Sequence, residues 1–131
     1  TGNPILGVVT GIVVDREVAN TEHPGYLPAS TAGEVLVAVG PNVLYEVQED
    51  SVGSTLDATA VGANIALIAG TGSTSSGRSG HEIDSSTLTS AGSEQFRIID
   101  YVRREDNEVG SANGKWIVRV HESHLNSTNG I

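Results

Sequence analysis

Hydrophobic positions along this chain come in short runs, mostly alternating with polar ones and separated by turn residues. No long stretch keeps the 3.6-residue period of a helix. Ile5 to Val14 reads ILGVVTGIVV, a β-branched run interrupted by Gly7 and Gly11, which predicts a bent strand or a strand pair. The polar stretch from Asp15 to Thr31 carries Pro24 and Pro28 and predicts a loop. Glu34 to Val39 (EVLVAV) has the pattern of a buried strand. Gly40-Pro41-Asn42 predicts a turn, and Val43, Tyr45 and Val47 then share one face of a second strand. Two strands around such a turn predict a hairpin.

Ser54 or Thr55 is placed to cap one helical turn over Leu56 to Ala60. Asn64 to Ala69 (NIALIA) predicts another short strand. From Gly70 to Gln95 the composition shifts: 12 of the residues are Ser or Thr, and only Ile83 and Leu88 are large and apolar. This predicts a long surface excursion, with an edge strand around His81 to Asp84. Phe96 to Val102 and Trp116 to Val120 are the clearest strands. In the second, Trp116, Val118 and Val120 face one way and Ile117, Arg119 and His121 the other. Asp100 breaks the apolar parity of the first, which predicts a bulge there. Asn113-Gly114 predicts a tight turn.

The pattern predicts one domain over residues 1–131, with residues 1–4 and 125–131 as tails free to fray or to contact a partner. Its class is all-β: a sandwich, jelly roll or small barrel of about seven or eight short strands with long polar loops. Hydrophobic residues make up 37% of the chain but aromatics only 4%, so the core is built from Val, Ile, Leu and Ala. Such a core is thin, and added burial from a partner or an oligomer is expected. There is no cysteine, which excludes disulfides and thiolate metal sites. No leader or apolar membrane span is visible, and Thr1 without a preceding Met suggests a trimmed initiator.

Charge changes the picture further. The net charge of -9 argues against binding the phosphate backbone of DNA or RNA. Five of the seven basic residues (Arg97, Arg103, Arg104, Lys115 and Arg119) crowd the last third of the chain, which reads either as scattered surface charge or, more sharply, as a basic face that docks on an acidic partner.

Candidate chemistry is weak. Gly72 to Ser79 (GSTSSGRS) differs from a phosphate-binding P-loop at one position, where Arg78 replaces lysine. The adjoining HEIDSSTLTSAGS is too rich in Ser, Thr and Gly to form the helix that such a loop needs. His121 and His124 are spaced to share a face in a helix but not in the strand expected there, and read as surface histidines. Asp106, Glu108 and Gly110 hint at a calcium loop without its full ligand set. Ser79, His81 and Asp84 sit close in sequence but on a polar loop. The carboxylate pairs Glu49-Asp50 and Glu105-Asp106 read as solvated turns. The Asn126-Ser127-Thr128 sequon has meaning only in a secreted chain. No catalytic, cofactor or metal residue is assigned.

Four strings carry a resemblance when taken together: VLYEVQEDSVG (43–53), VGANIALIAGTGSTSSGRSGHEIDSST (61–87), FRIIDYVRREDNEVG (96–110) and GKWIVRVHESH (114–124). Over about Glu34 to His124 the chain resembles the decoration, or cement, proteins of tailed bacteriophages, which sit on an HK97-like capsid shell. The resemblance implies a jelly-roll β-sandwich without catalysis, a homodimer or homotrimer bound to the major capsid protein. Its location would be the outer capsid surface of the virion, after synthesis in the bacterial cytoplasm, with no nucleic-acid or membrane partner. Arg97, Arg103, Arg104 and Arg119 are then candidates for capsid contact, and Arg78 for holding its loop or touching a neighbour. A free-standing phage β-domain binding a glycan is the alternative, and it requires exposed aromatics.

Overall fold

The alternating apolar residues of Trp116–Val120 need a sheet on both sides, and they obtain one from distant parts of the chain. A computed structural model describes residues 3–13 and 25–123; His23, Pro24, His124 and the 126–128 sequon lie outside them. The described residues are nearly all β. Their strands are β1 (Val8–Val13), β2 (Glu34–Ala38), β3 (Leu44–Gln48), β4 (Asn64–Ile65), β5 (Leu67–Ile68), β6 (Glu82–Ile83), β7 (Phe96–Tyr101) and β8 (Lys115–Val120). They form an antiparallel sheet of order β3-β8-β7-β4 and two two-stranded ribbons, β1-β2 and β5-β6.

The core lies on one face of the four-stranded sheet. Trp116, Val118 and Val120 of β8 meet Phe96 and Ile98 of β7, and Leu56, Ala60, Ile65 and Ile83 close over them. The expected parity of β8 holds, with alternate residues buried. In β7 the register shifts between Ile98 and Asp100, the bulge that the sequence predicts. The extra residue turns Asp100 outward, opposite Ile117, and returns Tyr101 to the Trp116 side, where the two rings pack edge-to-face at 6.4 Å.

Several expectations are corrected. Residues 40–43 do form a turn, closed by Val43 N–H donating to Gly40 C=O, but β2 and β3 are not a hairpin. β2 pairs with β1, while β3 pairs with the distant β8, because Tyr45 and Val47 find apolar partners in Val118 and Trp116. β2 is also not buried: Val35 is 42% and Leu36 58% exposed. The turn at Ala58–Ala60 is a 3-10 helix capped by Asp57, not by Ser54 or Thr55. The predicted strand over 64–69 splits at Ala66 into β4 and β5, which belong to different sheets.

The Gly70–Gln95 excursion does hold an edge strand, β6, but it also supplies core. Ile83 is fully buried, and Ser85, Glu94 and Gln95 are nearly so. Its glycines serve close packing. A Cβ on Gly70 would lie 1.8 Å from the Gly80 carbonyl oxygen, so the two arms of the loop cross where only hydrogen fits. Gly77 has φ +67 and passes against Gly25, where a Cβ would sit 2.8 Å from the carbonyl oxygen.

Glu49 and Asp50 are structural rather than solvated. Glu49 is fully buried. Its carboxylate accepts the Leu56 N–H at 2.9 Å and the Gly114 N–H at 3.4 Å. Asp50 accepts the backbone N–H and the hydroxyl of Ser85 at 3.0 and 2.9 Å. Burial works to raise the Asp50 pKa, but the hydrogen bonds from Ser85 and Val52 outweigh it and hold the carboxyl below its ordinary 3.8. Asp57 is likewise lowered, by the Thr59 hydroxyl and N–H.

Unfolding in urea tests the structural role of these carboxylates. Glu49→Ala strands buried N–H groups and should cost about 3 kcal/mol, whereas Glu49→Gln, which keeps an acceptor, should cost about 1 kcal/mol. An equal cost for the two would show that the acceptor is unimportant. Asp50 and Asp57 have folded-state pKa values below the unfolded ones, so the unfolded chain takes up more protons in acid. Their stabilisation should be complete above about pH 5 and fall as pH drops through 3.8 toward the lowered folded values. Urea midpoints between pH 6 and 3 check this, and Asp50→Asn should flatten the profile.

Candidate partner-binding surface

Cross-strand pairing decides which basic residues stand together. Arg97 of β7 is directly opposite Arg119 of β8, and the row continues to Asn64 on β4 and Leu44 on β3. Paired residues share a face, so both arginines lie on the side of the sheet away from the core. Asn64 is buried and fixed at both ends of its amide. Its Nδ2 donates to Ala91 C=O at 2.7 Å, and its Oδ1 accepts Arg97 Nε at 3.0 Å. This anchor orients the Arg97 guanidinium without cancelling its charge. Among the described residues no carboxylate comes within ion-pair distance of Arg97 or Arg119.

The other two arginines of the expected basic face are internally neutralised. Arg104 donates to both oxygens of Glu46, at 3.0 and 2.6 Å, and to Asp106 at 3.2 Å. The Glu46 bond is the main reason its pKa is raised. Asp106 also accepts Lys115 Nζ at 3.0 Å, and that bond chiefly holds its carboxyl below the ordinary value. Arg103 pairs with Asp100 at 3.3 Å and covers the Tyr101 ring at 4.4 Å. Three cations and three carboxylates therefore balance at that end of the sheet. Here Asp106 belongs to an ion-pair network, and among the described residues no cluster of three or more His, Asp or Glu forms a metal site.

Arg78 stands elsewhere. The loop Ser73–Arg78 is closed by Ser73 N–H donating to Arg78 C=O at 2.9 Å and by Gly77 N–H donating to Ser73 C=O at 2.8 Å. The chain continues from this loop into strand β6 and a 3-10 turn, so the P-loop likeness has no helix terminus behind it. Arg78 lines an apolar cleft of about 750 Å³ between this loop, Tyr26 and Leu27, and the Val9–Ile12–Val35 face of the β1–β2 ribbon. Ser79 Oγ lies 3.0 Å from His81 Nδ1, but Asp84 caps the next turn through Ser86 and is committed there.

Sequence reasoning missed the ribbon itself as a surface. Cross-strand pairs put Val9, Ile12, Val35 and Val37 on one face and Val8, Gly11, Val13, Leu36 and Ala38 on the other, with Glu34 as the one charged residue. Apolar residues on both faces are the mark of a strand covered on two sides. The signal was present in the charge-free run ILGVVTGIVV.

No protein-family model, curated protein or solved structure matches this chain. No helix among the described residues is long and apolar enough to cross a membrane.

Two like charges facing each other across strands are destabilising. Arg119→Glu should therefore form a pair with Arg97 and raise stability by about 0.5 kcal/mol, while Arg104→Ala, in an exposed network, should lower it by less than about 1 kcal/mol. Thermal melts of the two variants check the contrast. A destabilising Arg119→Glu would mean that the arginine is held by the fold.

Proposed function

We propose that this chain is a non-catalytic structural protein of a tailed-bacteriophage head, a decoration protein that binds the outside of the capsid shell and stabilises contacts between capsomers. The reading takes the antiparallel sheets as parts of a jelly-roll-like sandwich. It places the protein on the virion surface with the major capsid protein and copies of itself as partners.

One observation carries the reading beyond resemblance: Arg97 and Arg119 are adjacent on the outer sheet face, Arg97 is oriented by Asn64, and neither meets a carboxylate among the described residues, in a chain with net charge -9. Keeping like charges together costs stability unless a partner supplies the carboxylate. A planar guanidinium fixed by Asn64 suits bidentate recognition of an acidic side chain. Arg97 and Arg119 therefore make the shell contact, whereas Arg103 and Arg104 brace the β7–β8 end. The glycan alternative has a poor platform among the described residues: Trp116 is 1% exposed, Tyr45 and Tyr101 are half-buried against the core, and only a half-buried Tyr26 lines the cleft.

Titrating the protein onto emptied, undecorated shells tests this. The expected result is saturable binding at a fixed ratio to the shell subunit. The double variant Arg97→Glu/Arg119→Glu should bind at least tenfold more weakly, and Arg103→Ala should bind as wild type. Wild-type protein that ignores shells, or equal binding by the double variant, would overturn the reading.

A further inference from the structure

We propose that Asn113-Gly114 is a site of covalent self-modification, at which Asn113 becomes aspartate or isoaspartate at a rate set by the contacts of Glu49. The inference stands apart from the shell contact.

Sequence selects the site. The reaction joins an asparagine carboxamide to the next backbone nitrogen, and a following glycine, with no Cβ, leaves that nitrogen open to attack. Among the described residues only Asn113 precedes a glycine: Asn3, Asn42, Asn64 and Asn107 precede Pro4, Val43, Ile65 and Glu108. The carboxamides of Asn64 and Asn107 are held at both ends by hydrogen bonds. Asn113 is exposed, and its carboxamide is bonded to no other described residue, so it can turn toward its own backbone.

The covalent step needs water alone. The Gly114 nitrogen loses its proton to solvent and attacks Asn113 Cγ. An N–Cγ bond forms, the Cγ–Nδ2 bond breaks, and ammonia departs with a proton returned by solvent. Water then opens the cyclic imide. At the side-chain carbonyl it yields aspartate; at the main-chain carbonyl it yields isoaspartate, in which the chain runs through Cγ.

Structure sets the rate. Attack requires the Asn113–Gly114 peptide to swing so that its nitrogen meets Cγ, and the fold holds that peptide on both sides. Gly114 is buried; its N–H donates to Glu49 Oε1 at 3.4 Å, and its C=O accepts Glu49 N–H at 2.9 Å. Asn113, at φ +58, donates its N–H to Ser51 Oγ, which in turn donates to Glu49 Oε1 at 3.4 Å. A nitrogen that lost its proton there would also face a like charge in the buried carboxylate. The intact turn is therefore guarded, and the reaction belongs to molecules in which it has opened. Isoaspartate then keeps it open. The added methylene lengthens the chain between the Ser51 contact and Gly114, so both Glu49 contacts to Gly114 fall out of register. Conversion makes a transient opening permanent.

Wild type is kept at mildly alkaline pH, folded and in urea, and trypsin then releases Asn113 in the peptide 105–115, apart from Asn129-Gly130. Mass spectrometry reads the loss of the amide, and fragmentation separates isoaspartate from aspartate. In urea Asn113 should convert steadily while Asn42 stays an amide. The folded protein should convert at least about tenfold more slowly. Glu49→Gln, which keeps an acceptor for the Gly114 N–H, should stay within about fivefold of folded wild type, whereas Glu49→Ala should convert at least about tenfold faster than it. If Glu49→Ala fails to fold, Ser51→Ala, which removes the hydroxyl that holds Asn113, serves instead. Ile98→Ala, a core variant brought to the same unfolded fraction with urea, should convert more slowly than Glu49→Ala, because its turn is intact. Converted protein, separated by its added negative charge, should unfold at lower urea than wild type. An Asn113 that converts as fast in the fold as in urea, an amide that survives urea, equal rates for Glu49→Ala and Ile98→Ala, or converted protein with the wild-type urea midpoint would overturn the proposal.

Discussion

The buried Glu49 carboxylate and its neighbour Asp50 fasten the 51–56 loop and the polar excursion to the paired strands β3 and β8. Glu49 reaches the 51–56 loop through Leu56 N–H, and its own N–H donates to Gly114 C=O, where β8 begins. Asp50 N–H donates to Ile83 C=O, and its carboxylate grips Ser85. The end of β3, the start of β8 and the polar excursion are thus fastened at one point. Burying a carboxylate is costly without full satisfaction. The gain is that a stretch dominated by Ser, Thr and Gly delivers Ile83 into the core.

That fastening divides the chain into two kinds of surface. The β3-β8-β7-β4 sheet buries its inner face within one molecule. Its outer face mixes a neutral ion-pair network with two unneutralised arginines. Among the described residues, the β1–β2 ribbon carries exposed apolar residues on both faces, one of them lining the cleft beside the Ser73–Arg78 loop. Both exposed features are unfavourable in an isolated molecule, and the proposed assembly would relieve them. Binding that selects the folded chain also adds to its stability by mass action, offsetting a core with few aromatics.

Local signals were readable in the sequence where pairing is local. The parity of β8, the Asp100 bulge, the edge strand near Ile83 and the all-β class all reflect period-two patterning and turn chemistry. The β2–β3 hairpin failed because the turn at 40–43 permits pairing but does not compel it; Trp116 and Val118 offered Tyr45 and Val47 a better partner than β2 did. Glu49 looked solvated because its donors, Leu56 and Gly114, are brought to it only by the fold. The basic cluster was visible in the sequence, but its division was not. Separating Arg97 and Arg119 from Arg103 and Arg104 requires knowing that Glu46 lies beside Arg104, 58 residues away.

If the sheet is self-sufficient and the proposed assembly relieves the ribbon, backbone amides should report the two differently. Hydrogen exchange read peptide by peptide on free and on shell-bound protein is the direct measurement. The expected result is slow exchange in Phe96–Tyr101 and Lys115–Val120 in both states, with Val8–Val13 and Glu34–Ala38 exchanging fast when free and markedly slower when bound. Ribbon amides that exchange at one rate in both states would contradict it.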